Sequence, residues 1–505
     1  MSDATRHAPA LHRGAITVTV MLASILQALD NTIANVALPN IRSSMSATQD
    51  QMTWVLTSYI VAAAIMTPLT GWVADHIGRK RLFMLSVLGF TIASALCGAA
   101  QSLDQLVFFR LLQGLCGAAL IPISQAVLFD INPPEQHGRA MAIWGLGVVM
   151  GPTLGPILGG WLTDSYSWRW VFYINVPFGI LAILGIMAFF PRSPLNKRQF
   201  DFFGFATLSI AVGSLQLMLD RGQQVDWFSA REIQIYAVVF ALSVYLFIVH
   251  TLTAEHPFIR LSLYKDRNFS TGNVLIFVVG IVLFATLALL PPLLQEFMGY
   301  SVLQAGLVTA PRGAGTLLAM LIVGRMVGRY DVRLIIGTGF VLTAISLWQM
   351  THFSLLMNMQ PVIWSGVLQG FGTGVVYVPM AALTFATLSP ALRNEGTALF
   401  NLLRNLGSSI GISTVQALFV RNTQIVHASL VTHLTPNALA RAGVPLLAGG
   451  HALTALNAEV TAQAAMVAYI DDFWLMLMLT LATIPLLLLV RTARRGGEPV
   501  HVAVE

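Results

Sequence analysis

Ionisable side chains set inside long apolar runs are the residues of this chain that could do chemistry. Asp30 stands in LDNTIANVALP with Asn31, Thr32 and Asn35 close by. A carboxylate in such a run is costly whether charged or neutral, and desolvation favours the form that holds a proton. A proton carrier needs that behaviour; a structural carboxylate tied to a neighbouring helix is the alternative. Arg110, three residues before Gln113 in FFRLLQGLCGAAL, is a guanidinium at similar depth and requires a carboxylate, carbonyls or water. Coupling of Arg110 to Asp30, directly or through water, meets both needs, and a purely structural arginine is the alternative. Arg312 and Arg404 are the remaining cations in apolar runs. Gln295 and Glu296 close a later run, where Glu296 reads as a solvated mouth residue, with a second proton site as the alternative. Asn31, Asn35, Gln113, Gln295 and Arg404 are the candidates for lining a substrate cavity.

The elements that position these groups are membrane spans. Of 505 residues 56% are hydrophobic and 10% charged, with mean hydropathy +0.73, too apolar for a soluble protein of this length. Fourteen spans fit: 14–38, 52–73, 82–100, 103–129, 140–162, 170–190, 202–219, 233–253, 270–294, 302–327, 334–353, 360–385, 397–420 and 471–490. With the N-terminus inside, the cytoplasmic segments collect about 19 of the 28 Lys and Arg and the outer ones about 6, which supports both the orientation and an even count. The same topology explains a pI near 9.5 without nucleic acid, because the basic residues sit in short loops. Arg6 and Arg13 precede the first apolar run, which continues to Leu38 with no convincing cleavage site, so it reads as an uncleaved helix. Cys97 and Cys116 fall inside spans and imply neither a disulfide nor a metal.

One span is built differently. In GLGVVMGPTLGPILGGW, Gly147, Gly151, Gly155 and Gly159 recur every fourth residue, giving a helix side with almost no bulk that another backbone can approach closely. Gly160 adds to it, and Pro152 and Pro156 remove backbone donors, so a bend is expected. An ordinary small-residue packing face is the plainer reading.

A faint internal repeat organises the whole. GWVADHIGRKRL at Gly71–Leu82 is echoed by GRMVGRYDVRL at Gly324–Leu334, and LQG at Leu112–Gly114 recurs at Leu368–Gly370. Gly138 and Ala140 find counterparts in Gly396 and Ala398. The offset exceeds what six spans need by about two helices, the pair between Phe202 and Thr253. The expected architecture is therefore an all-α polytopic membrane protein: tail 1–13, a six-helix repeat 14–190, an inserted helix pair with linkers 191–269, a second repeat 270–490 with a long outer loop 421–470, and tail 491–505.

These stretches resemble the major facilitator superfamily, and within it the 14-span drug:proton antiporter family of the EmrB/QacA type. The glycine-rich span is similar to the antiporter signature of the fifth helix, LDNTIANVALP to the first-helix motif, and RxxQG to the fourth-helix motif. SWRWVFYINVPFG resembles WRWxFxINxPxG of the 14-span exporters, and GWVADHIGRKR the cytoplasmic loop of the superfamily. The likeness implies two six-helix repeats about a central binding site and proton transfer involving Asp30 and Arg110. It also implies a charge network of Asp75 and Arg79 with Asp130 closing the inner side, on a loop shaped by Gly71, Gly78 and Lys80. In the second-half echo Gly328 stands where Asp75 would fall.

The function expected is proton-coupled export of small amphipathic compounds across a bacterial inner membrane, with both termini cytoplasmic and no cofactor. A proton-coupled uptake symporter, or an exporter of one metabolite, siderophore or lipid, shares the fold. Neither HExxH, GxSxG nor a phosphate loop is present to suggest an enzyme. The outer segment is similar to that of exporters served by a periplasmic adaptor and outer-membrane channel. Its His427 and His433, six apart, do not suit a metal site.

Overall fold

The computed structural model describes residues 10–133, 136–191, 195, 199–327, 329–389, 392–434 and 449–490. Both tails beyond these limits, Gly328 and the segment 435–448 lie outside the described residues.

Apolar runs in hydrocarbon must satisfy every backbone donor internally, and the described chain is accordingly helical. The first half comprises α1 (Ala10–Met45), α2 (Gln49–Ile77), α3 (Arg79–Ala99), α4 (Leu103–Gly117), α5 (Leu120–Ile131), α6 (His137–Ser165), α7 (Trp170–Tyr173) and α8 (Asn175–Phe189). Helices α4 and α5 form one broken span, Leu103–Ile131. The inserted pair is α9 (Phe202–Gly222) and α10 (Arg231–Thr253), followed by the short α11 (Ser262–Lys265). The second half holds α12 (Arg267–Pro292), ending in a π turn at Leu293–Phe297, then α13 (Val302–Thr309), α14 (Pro311–Met326), α15 (Val332–Met350), α16 (Met359–Ala386), α17 (Arg393–His433) and α18 (Gly449–Thr483).

Twelve of these helices or joined helices are long and apolar enough to span a membrane, and the bent α6 makes thirteen. The one expected span missing from these, the thirteenth at 397–420, is helical within α17. Asn401, Arg404, Asn405, Ser408 and Ser409 make it too polar to count by hydropathy alone. The long outer loop expected at 421–470 is corrected. Helix α17 continues to His433 and α18 begins at Gly449, because Ala-rich, amphipathic sequence extends both helices beyond the apolar stretch.

Packing reproduces the repeat. Helix α6 lies along α1 and reaches across to α14, while α17 lies along α12 and reaches across to α2. The fifth long helix of each half is thus the seam with the other half. The inserted pair sits at the periphery, α9 touching α2 and α17 and α10 packing on α9. Helix α10 turns Ile235, Val238, Leu242, Tyr245 and Leu252 outward, as a lipid-facing helix does. Between α2 and α3 the chain turns at Gly78 with φ +91° and ψ 142°, a conformation only glycine adopts freely. We call the side carrying this turn, with Arg79, Lys80 and Arg81, the basic face.

Candidate functional site

Asp30 projects from α1 into the first half and is completely buried. One carboxylate oxygen accepts from Arg110 Nη1 at 2.6 Å; the other accepts from Gln113 Nε2 at 2.8 Å and Asn175 Nδ2 at 3.0 Å. Arg110 is 1% exposed, donates onward through Nε to the Val55 carbonyl at 3.2 Å and through Nη1 to Gln113 Oε1 at 2.8 Å, and lies 4.3 Å above the Tyr59 ring. Asn175 also donates to Ser94 Oγ at 3.0 Å, whose hydroxyl donates to the Phe172 carbonyl at 2.9 Å. Three helices therefore meet at one carboxylate: α1 carries it, and α4 and α8 donate to it. A buried ion pair of this kind holds only while its hydrogen bonds are complete, and protonation of Asp30 removes the charge that Arg110 faces.

The α6 glycines place α1. A Cβ on Gly151 would stand 2.5 Å from Ala28 Cβ, one on Gly159 2.9 Å from Ile33 Cγ1, and one on Gly155 would strike Thr32 Oγ1. Gly147 packs on Met21 and Ile25. The Thr32 hydroxyl lies 3.2 Å from the Gly151 carbonyl, and Trp144 Nε1 donates to Ser24 Oγ at 2.8 Å. Gly160 faces open space and takes no part in the seam. The expected bend is present: α6 turns by 43° between His137–Gly155 and Ile157–Ser165. The side chains of Pro152 and Pro156 are not among those described. Another face of the same helix meets the second half, with Gly145 against Met320, Gly138 against Val327 and Thr153 against Gly313.

The basic face is closed by a polar network between the halves. Asp130 pairs with Arg79 and, at 3.0 Å, with Arg393 Nη1 at the start of α17. Arg79 Nε donates to Asn394 Oδ1, and Asn394 Nδ2 donates to Asp75 Oδ1, each at 2.5 Å. Gly71 lets α2 approach α17 so closely that a Cβ there would lie 3.0 Å from Glu395 Cα. Lys80 ties the turn to the end of α8 through the Met187 and Phe190 carbonyls at 3.0 and 2.9 Å. Burial holds the Arg393 guanidinium below its ordinary range, because desolvation penalises its charge. Above this floor Asn401 donates to Gln125 at 2.6 Å, while Gln125 and Arg404 both reach the Tyr377 hydroxyl at 3.3 Å.

Of the candidate residues, the structure brings together Asp30, Arg110 and Gln113, and separately Gly71, Asp75, Arg79 and Asp130. Asn31 and Asn35 are exposed on α1, unlike Asp30. Gln295 is half-buried in the π turn with Glu296 exposed beside it, remote in the fold from Arg404 at the interface of the halves. His427 bonds Asn457 at 3.1 Å, and no metal-holding cluster occurs among the described residues. Asn175, Asn394 and Gln125 are hydrogen-bond partners in these networks that the sequence does not single out. Asn175 lies within the INVP stretch of the sixth span, but an uncharged amide gives no signal of its own.

The sequence profile of the Major Facilitator Superfamily matches residues 20–412. The chain is 38% identical over 424 residues to the multidrug export protein EmrB of Escherichia coli K12, covering 83% of each. It is 34% identical over 499 residues to the fatty acid resistance protein FarB of Neisseria gonorrhoeae, covering 96% of this chain and 97% of that one. In fold it is similar to the human organic anion transporter MFSD10, with TM-score 0.61 at 17% identity, covering 94% and 100% of the two chains. It is likewise similar to the proton:xylose symporter XylE, with TM-score 0.61 at 12% identity, covering 95% and 97%.

Proposed function

The chain belongs to the Major Facilitator Superfamily, and from that premise we propose that it exports amphipathic organic compounds in exchange for protons by alternating access. The observation that carries the coupling is the buried Asp30, held at once by Arg110, Gln113 and Asn175. With the basic face cytoplasmic and both termini inside, this is the outward-facing state of an inner-membrane protein. Protonation of Asp30 from outside frees Arg110 and loosens α1 against α6. Because α6 also packs on α14, the halves rock and the network of Asp75, Arg79, Asp130 and Arg393 opens inward. Release of the proton and loading of substrate reverse the motion. One proton moving in down 100 mV supplies about 2.3 kcal/mol, enough for about a fiftyfold gradient of a neutral substrate. No cofactor enters the cycle.

EmrB and FarB, the relatives, point to drugs and fatty acids as two substrate classes. Carboxylate-bearing amphiphiles are favoured by Arg404, whose described partners, Tyr377 and Asn405, are both neutral. A periplasmic adaptor, with an outer-membrane channel beyond it, would meet the outer extensions of α17 and α18. The test is efflux of a lipophilic cation dye and of a fluorescent fatty acid from cells, with and without an uncoupler. Gradient-dependent exclusion of either, lost in Asp30→Asn, is expected. Equal retention of both in expressing and non-expressing cells would overturn the reading.

A further inference from the structure

The second half contains a rearranged counterpart of the Asp30 site. Gln113 and Gln369 stand 256 residues apart, as do Asp30 and Thr286. Gln369 Nε2 donates to Thr286 Oγ1 at 3.1 Å, as Gln113 donates to Asp30. Gly366 follows Arg110 by the same 256 residues, and Arg312 from α14 packs against it. Arg312 is 7% exposed, donates Nη2 to the Leu283 carbonyl at 3.4 Å and has no partner for its buried Nη1. The acid has moved as well. In the first half the last helix supplies the amide Asn175; in the second it supplies Asp472 on α18.

Asp472 is 0% exposed, and neither of its carboxylate oxygens has a hydrogen-bond partner. Around it on α18 lie the buried Tyr469, Phe473 and Met476. An ionised carboxylate so placed, with no paired cation or donor, costs far more than a neutral acid. The ionisable groups on the surrounding elements do not neutralise it. Asp471 beside it is exposed and bonds Asn422, Glu296 lies exposed in the π turn after α12, His352 is exposed just past the end of α15, and Arg421 is exposed on α17. Among the described residues of this half, Arg312 is the buried cation.

We propose that Asp472 is a second proton-binding carboxylate of the transport cycle, loaded in this conformation, so that two protons enter per substrate exported. This rests on the exporter reading above. Protonation adds one proton to one carboxylate oxygen, and its return to water on the cytoplasmic side balances the step.

The experiment uses purified full-length protein in proteoliposomes, with tetraphenylphosphonium as the exported probe. Two protons against one monovalent cation move one net charge, so a 100 mV potential shifts the steady probe gradient about fiftyfold with no pH difference. In Asp472→Asn, which keeps the size and neutrality of the protonated acid, exchange driven by a pH difference is expected to persist while the response to potential disappears. A wild type indifferent to potential, or an Asp472→Asn variant that keeps its full response, overturns the proposal. Infrared spectroscopy of the same protein in detergent decides independently of transport. A protonated carboxylic-acid carbonyl band at neutral pH, retained in Asp30→Asn and lost in Asp472→Asn, is expected, and its absence from wild type overturns the proposal. Failure of wild type to move the probe under either gradient would sink the export of cations, and the infrared band would still decide for or against Asp472.

Discussion

The Thr32 hydroxyl lies between two helices, 3.0 Å from the Leu29 carbonyl of α1 and 3.2 Å from the Gly151 carbonyl of α6, two residues along α1 from the carboxylate that Arg110 holds. The glycine seam and the charged site are therefore two faces of one helix, and neither can shift without the other. Gly151 and Gly160 separate packing from mere glycine content. A methyl on Gly151 would stand 2.5 Å from Ala28 Cβ, whereas one on Gly160 meets nothing within 4 Å. Gly151→Ala is expected to cost about 1–3 kcal/mol through overpacking and to slow export. Gly160→Ala should be neutral or stabilising, by up to about 1 kcal/mol through helix propensity. Thermal unfolding in detergent reads both, and equal effects would show that the seam does not confine α1.

Removing one partner of the buried pair should be far worse than removing its charge from both sides. Arg110→Ala leaves Asp30 buried with amide donors alone and is expected to destabilise by about 3–5 kcal/mol. Asp30→Asn keeps one acceptor oxygen for Gln113, Asn175 and Arg110 but turns an NH2 toward the others and removes Arg110's counter-charge. It should therefore fold with a stability loss smaller than that of Arg110→Ala and lose gradient-driven export. Combining the two should recover stability relative to Arg110→Ala, with a coupling of about 0.5–3 kcal/mol. Additive unfolding free energies in the double-mutant cycle would argue that the 2.6 Å contact contributes nothing.

What the sequence made legible divides by chemistry. Asp30 and Arg110 announce themselves because a charge in an apolar run demands an explanation, and their pairing follows from mutual need. Gly147, Gly151, Gly155 and Gly159 are legible because a four-residue period has one geometric meaning on a helix. Asn175, Asn394 and Gln125 carry no such signal, since an amide is tolerated in many settings and only its neighbours across the fold give it a role. The segment after Arg421 was misread for a related reason. Hydropathy marks where a helix leaves the apolar layer, not where its hydrogen bonds stop, and α17 continues to His433.

Asp130 holds Arg79 of one half and Arg393 of the other, so it ties the halves together across the basic face. Asp130→Asn is expected to favour the inward-open state, by about tenfold for each 1.4 kcal/mol withdrawn from the closed one. In a background lacking Cys97 and Cys116, a Gln125→Cys reporter sits on the closed interface. Its labelling by a membrane-impermeant thiol reagent from the basic face should rise in Asp130→Asn. Unchanged labelling would mean that the network is an anchor and not a gate.

Asn31 and Asn35 are exposed one turn apart on the same α1 that buries Asp30. In the outward-facing reading they meet substrate while Asp30 meets the proton, so changing them should separate recognition from coupling. Asn31→Leu and Asn35→Leu make the wall more apolar without touching Arg110, Gln113 or Asn175. The apparent KM is expected to change about threefold to tenfold, in opposite directions for polar and apolar substrates, with kcat nearly unchanged, as loss of uniform binding requires. Both variants should keep the wild-type dependence on the proton gradient. A fall in kcat at constant KM, or a lost gradient dependence, would instead join these amides to the Asp30 site and remove them from the cavity wall.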